Sequence, residues 1–205
     1  MARLKVGVLI SGRGSNLQAL LDACADPTFP AEIALVISNV EGTQGLERAE
    51  AAGVATRLVN HKDFPDRESF DRKMDEALRA AGIELVCLAG FMRLLSTGFV
   101  ESWQGRMINI HPSLLPAFKG LRTHAQALAA GVKEHGCTVH YVTPALDDGP
   151  AILQGTVPVL DGDTEESLAE RVLKVEHRLY PEALRRIAEG RAPCAGSDDI
   201  ADQSA

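Results

Sequence analysis

A chain of 205 residues, 45% hydrophobic and 24% charged, is long enough to bury a full core and fits one domain more readily than two. With 21 Lys and Arg against 28 Asp and Glu, its net charge of −7 argues against a broad nucleic-acid footprint or attraction to an anionic membrane. Four scattered cysteines without a C-x-x-C pair, no signal-peptide pattern and no run approaching ~18 apolar residues point to reduced thiols in a cytoplasmic protein, with neither a zinc site nor a disulfide framework.

Residues 4–10 form an almost unbroken apolar run rich in branched side chains, the signature of a parallel strand covered on both faces. Ser11-Gly-Arg-Gly-Ser-Asn16 breaks it, and Leu17, Leu20, Leu21 and Cys24 then recur at helical spacing, so strand, glycine turn and helix open a βαβ unit. The alternation continues with strands predicted at 33–38, 56–59 and 85–89 and helices at 45–52 and 69–81. A short helix near 96–102 leads to a strand at 107–110, which runs into His111-Pro-Ser-Leu-Leu-Pro116. Two prolines there forbid either regular structure and require a shaped loop. A helix at 124–130, strands at 137–142 and 152–159 and a long helix at 165–189 complete the pattern. The last two strands, joined by Pro144-Ala-Leu-Asp-Asp-Gly-Pro150, read as antiparallel. The predicted fold is α/β: a doubly wound, mostly parallel, Rossmann-like sheet in one domain over 1–190, with an antiparallel C-terminal addition and a closing helix. Residues 191–205, dominated by Pro, Gly, Ser and Asp, read as a flexible tail.

Gly14, Ser15 and Asn16 sit where the first strand turns into the first helix, so backbone N–H groups and the helix N-terminus face an anion such as a phosphate. Capping by Ser15 or Asn16 explains the same residues equally well. Leu17 occupies the third glycine position of G-x-G-x-x-G, which argues against a dinucleotide. Asn109 and His111 alternate with Ile108 and Ile110, so two polar side chains share one face at the carboxyl end of a buried strand, where open α/β sheets place ligands. Asp147 and Asp148 both lie in a turn-rich loop, and spacing does not choose between them or exclude a simple turn role. His140 shares a strand face with Thr138 and Val142 and leans toward the site. His61 and His135 read as exposed or capping, while His124 begins a helix and His177 lies inside one beside Glu176. No histidine pair has H-x-x-x-H spacing, and no metal is expected.

Together, Ser11-Gly-Arg-Gly-Ser-Asn-Leu-Gln18, Asn109-Ile-His-Pro-Ser-Leu-Leu-Pro116 and Leu146-Asp-Asp-Gly-Pro150 resemble the glycinamide ribonucleotide formyltransferases within the folate-dependent formyltransferase family. The resemblance implies formyl transfer from 10-formyltetrahydrofolate to the amine of glycinamide ribonucleotide in purine biosynthesis. It implies a catalytic trio of Asn109, His111 and Asp147, with Asn109 and His111 stabilising a tetrahedral intermediate and Asp147 assisting proton transfer. It further implies a nucleotide set of Gly14, Ser15, Asn16 and Glu176, and a folate set of Arg67, Met92, Arg93, Leu94, Leu95, Val142 and Asp147. Arg122-Thr-His124 stands where many members carry His-Thr-His, so a role for the first histidine does not transfer. The implied partners are these two small molecules, for a monomer or homodimer acting without nucleic acid or membrane. A formyltetrahydrofolate hydrolase shares the trio but usually carries an N-terminal regulatory domain, and a methionyl-tRNA formyltransferase would add a C-terminal domain and basic surface. A binding module using only the glycine turn is the non-enzymatic alternative.

Overall fold

The computed structural model describes residues 2–191. The expected tail and Cys194 lie outside the described residues, apart from Arg191 itself. Seven strands form one sheet: β1 (Leu4–Ile10), β2 (Ala31–Ser38), β3 (Ala55–Leu58), β4 (Leu85–Leu88), β5 (Met107–His111), β6 (Glu134–Tyr141) and β7 (Ala151–Pro158), in the order β3-β2-β1-β4-β5-β6-β7. The first five run parallel, while β6 and β7 are antiparallel to their neighbours. The helices are α1 (Ser15–Cys24), α2 (Gln44–Ala51), α3 (Arg67–Ala80), α4 (Thr97–Ser102), α5 (Thr123–Ala129) and α6 (Glu165–Ala188).

Period-2 alternation in the central strands feeds two cores. Val6, Val8 and Ile10 of β1 join Leu17, Leu20, Tyr180 and Leu184 under α1 and α6, while Leu9 joins Phe70, Met74, Leu78 and Trp103 under α3 and α4. Phe70, Met74, Ala77 and Leu78 recur at i, i+4, i+7 and i+8, which gives α3 its buried stripe. Asp66 caps that helix by accepting from the Ser69 amide at 2.7 Å, and Thr164 and Ser167 form a reciprocal capping box at the start of α6.

The order of strands fixes where a ligand belongs. The chain winds outward from β1 to β2 and β3, then returns to place β4 on the other flank of β1, so β1 and β4 enclose the topological switch point. Connections leaving their carboxyl ends diverge to opposite faces of the sheet, the place where open α/β sheets bind ligands. Ser11–Asn16, the run after Gly90 and the loop after His111 all leave this edge of the sheet. The buried Tyr180 hydroxyl reaches the carbonyls of Leu88 (3.0 Å) and Ile108 (3.3 Å), fastening α6 beneath that edge. No helix among the described residues is long and apolar enough to cross a membrane.

Candidate active site

Asn109 and His111 occupy the last turn of the pleat of β5, directly opposite His140 and Thr138 of β6. Residues opposite each other in an antiparallel pair share a face, so the sheet register alone gathers four polar side chains. Ile108 and Ile110 enter the core on the other face, as the alternation predicts.

The Asn109 Nδ2 lies 3.3 Å from His140 Nε2, and His140 Nδ1 lies 2.9 Å from its neighbour's carbonyl at Tyr141. A carbonyl accepts only, so the neutral His140 ring carries its proton on Nδ1 and offers the Nε2 lone pair to the Asn109 amide. Burial holds the His140 pKa below its ordinary value, which keeps that lone pair available. The Asn109 amide is thereby oriented through one of its N–H groups.

His111 is buried, with Nδ1 3.5 Å from Asp147 Oδ2 and Nε2 3.0 Å from the Phe118 carbonyl. Both ring nitrogens face acceptors, an arrangement that an imidazolium satisfies with both of its N–H groups. Asp147 itself is held by the Gly120 amide at 2.9 Å, and its other oxygen lies 3.9 Å from His140 Nε2. Asp147 adopts φ +47°, a left-handed conformation that Asp and Asn tolerate better than most residues. The following Gly149 is demanded by close approach, since a Cβ there would sit 1.7 Å from the Tyr141 carbonyl oxygen. Asp148, left open by spacing, points outward and pairs with Lys119. Of the two carboxylates, it is therefore Asp147 that the fold brings to His111.

The proline loop is shaped by groups that the motif reading did not single out. Thr138 Oγ1 donates to the Ser113 carbonyl at 2.7 Å and accepts from the Leu115 amide at 3.1 Å, while Ser113 Oγ donates to the Ala117 carbonyl at 2.6 Å. The available signal was the alternation of Thr138 with His140. His135, expected to be exposed or capping, is instead buried. It sits 3.2 Å from His124 Nδ1 and meets the Phe118 ring edge-on. Desolvation pushes its pKa down to about 4 and lowers that of His124 as well, so the pair stays neutral, one ring donating to the other. His61, likewise expected to be exposed or capping, is half-buried against Asn39.

At the carboxyl end of β1, Gly14 takes φ +70° and caps α1 with no side-chain bond, so capping by Ser15 or Asn16 is not the reason for the motif. The first amides of α1 have no side-chain cap. Alanine at Gly14 would also place a Cβ 2.7 Å from the Gly45 Cα. Gly14→Ala is expected to lower unfolding free energy by about 2 kcal/mol or more, read from urea denaturation.

Asn16 Nδ2 donates to Glu176 Oε2 at 2.7 Å, while Asn16 Oδ1 is buried without a hydrogen-bond partner among the described residues. Glu176 occupies the buried stripe of α6 between Val172 and Tyr180, and desolvation, offset in part by Asn16, raises its pKa. A carboxyl that holds its proton more tightly when folded costs stability as pH rises above its unfolded value. Glu176→Gln, which can still accept from Asn16, is therefore expected to melt above the parent at about pH 8 and level with it at about pH 4, by thermal denaturation.

The expected folate residues also converge in part. Arg67 opens α3 and Arg93 lies over the Phe70 ring at 5.3 Å, and both charges act on the buried Asp71. Met92 and Leu94 are exposed, Leu95 and Val142 pack at the margin of the second core. Among the described residues no group of three or more His, Cys, Asp or Glu is placed to hold a metal.

Residues 4–184 match the family described as formyl transferase. The chain belongs to the formyl transferase family. Among relatives, it is 47% identical over 188 residues to phosphoribosylglycinamide formyltransferase of Escherichia coli K12, covering 92% of this chain and 89% of that protein. It is 52% identical to the human trifunctional purine biosynthetic protein adenosine-3, covering 92% of this chain but 19% of the longer protein. The chain thus spans a fifth or less of the trifunctional relatives it matches. Solved formyl transferase structures superpose closely. Glycinamide ribonucleotide transformylase 1 of Symbiobacterium toebii gives a TM-score of 0.92 at 52% identity, covering 95% of this chain and 92% of that one. Phosphoribosylglycinamide formyltransferase of Brucella melitensis gives 0.88 at 52% identity, covering 94% and 100%.

Proposed function

We propose that this formyl transferase moves the formyl group of 10-formyltetrahydrofolate to the amine of glycinamide ribonucleotide, in the cytoplasm, as a step of purine biosynthesis. The observation that carries the reading is the meeting of Asn109, His111 and Asp147 at the carboxyl end of β5, on the sheet edge that also carries the Gly14–Asn16 turn. The names of relatives that align over nearly their whole length support formyl transfer with glycinamide ribonucleotide as the acceptor.

In this mechanism the phosphate of the nucleotide rests on the free amides of α1, and the glycinamide end extends toward Asn16 and Glu176. Glu176 accepts from the substrate amine or ribose, and the unpartnered Asn16 Oδ1 takes a second N–H or O–H. The arginines Arg67 and Arg93, the run 92–95, Val142 and the 142–147 loop hold the folate. As the amine attacks the formyl carbon, charge develops on the formyl oxygen. The free Asn109 N–H and the His111 N–H now directed at Phe118 stabilise it. Asp147 balances the imidazolium and relays a proton from the attacking amine toward the departing folate nitrogen. No covalent enzyme intermediate is required. The described cysteines suit none, since burial raises the Cys24 pKa to about 11 and that of Cys137 to about 12, and raises that of Cys87 further.

Incubating the purified protein with both substrates and measuring the mass of the nucleotide product tests the reading. N-formylated glycinamide ribonucleotide is the expected product, and unchanged nucleotide with active folate turnover would overturn it.

A further inference from the structure

Two side chains outside the catalytic and nucleotide sets each direct an acceptor at a main-chain amide bounding the run 92–95. Ser11 Oγ accepts from the Met92 amide at 2.8 Å while donating to Asn39 Oδ1 at 2.6 Å, and the buried Asn39 in turn meets His61 at 3.2 Å. At the other end, Asp71 Oδ2 accepts from the Ser96 amide at 2.6 Å. Between them the Arg93 guanidinium lies on the face of Phe70, while Phe91 and Leu95 are tucked against the second core.

The backbone of this run is thus fixed by partners 81 and 25 residues away in sequence rather than by turn bonds of its own. Yet the side chains it carries outward are apolar, with Met92 71% and Leu94 60% exposed. Single exposed hydrophobics are ordinary, but two on a backbone pinned at both ends form a preorganised apolar surface, which lowers the ordering cost of binding a ligand. The second carboxylate oxygen of Asp71 is buried without a hydrogen-bond partner among the described residues, as is Arg93 Nε, and the charges of Arg67 and Arg93 act on Asp71. One carboxylate therefore fixes the strap and faces the two arginines.

We propose that Ser11 and Asp71 are positioning residues that hold the strap at 92–95 in the shape that receives the folate. The inference rests on the folate reading of that run and adds two residues that touch neither substrate.

Ser11→Ala, Asp71→Ala and Asp71→Asn test it, with KM measured separately for 10-formyltetrahydrofolate and glycinamide ribonucleotide and folding checked by circular dichroism. Loss of either clamp is expected to raise the folate KM roughly tenfold, with kcat little changed and the nucleotide KM within about twofold of the parent. Asp71→Asn keeps an oxygen that accepts from Ser96, and its folate KM should stay within about threefold of the parent. A merely structural role would move both KM values together or neither, and either result overturns the proposal, as does an Asp71→Asn variant as impaired as Asp71→Ala. If Asp71→Ala does not fold, a selective rise in Ser11→Ala upholds the clamp and its absence refutes it. A parent protein that turns over neither substrate would refute the folate reading itself, whereas an active parent with unselective variants refutes the clamp alone.

Discussion

His111→Ala is expected to lower kcat by about two to three orders of magnitude, the usual effect of removing one preorganised donor to a developing oxyanion. The imidazole is buried between Asp147 and the Phe118 carbonyl, so its removal takes away the ring that faces the Asp147 carboxylate. The loop contacts made by Thr138, Ser113 and Thr123 do not involve the ring and should persist. A fall in kcat with KM for both substrates nearly unchanged is therefore the signature of an interaction made in the transition state. Rapid-quench measurement of formyl transfer under saturating substrates gives the value directly. A kcat within threefold of the parent would remove His111 from the chemistry.

Asp147→Asn is expected to cost at least about a hundredfold in kcat, the lower range for a positioned acid–base group. Asparagine suits the left-handed φ of +47° as well as aspartate does, and its oxygen still accepts from Gly120, so the substitution removes charge and leaves the loop in place. Asp148→Asn is the matched control: its carboxylate is exposed, paired with Lys119, and surface pairs of that kind contribute little. That control should stay within about twofold of the parent. Equal losses in the two variants would mean that the loop needs negative charge generally, and that Asp147 has no specific part.

Most of the architecture was legible because buried strands and amphipathic helices leave opposite periodicities in the chain. β1, β2 and β4 appear as branched apolar runs, and α3 and α6 as 3.6-residue stripes. The chain was less legible where pairing rather than pattern makes the structure. β6 begins at Glu134, earlier than its apolar stretch, because Glu134, His135 and Gly136 pair with Pro158, Val157 and Thr156 of β7. The 3-10 turn at His61–Asp63 carries no periodic signal at all.

The site followed the same division. Asn109 and His111 could be placed on one face from two-residue alternation, whereas Glu176 was singled out through the resemblance and only the fold puts its carboxylate on the buried stripe of α6. Spacing alone did not separate Asp147 from Asp148, because adjacent loop residues differ only in which way the loop turns them; the resemblance implied Asp147, and the fold brings it to His111 while Asp148 pairs with Lys119. The burial of His135, the orientation of Asn109 by His140 and the clamps at Ser11 and Asp71 depend on contacts between distant segments, for which local spacing carries no information.

On the proposed mechanism, the trio transfers a formyl group to a nucleotide amine rather than to water. The most direct measurement follows release of deformylated folate from 10-formyltetrahydrofolate by the purified protein, with and without glycinamide ribonucleotide. Release that depends on the nucleotide and matches the formylated product mole for mole is the predicted result. Release at the same rate without the nucleotide would contradict the claim and make the protein a hydrolase.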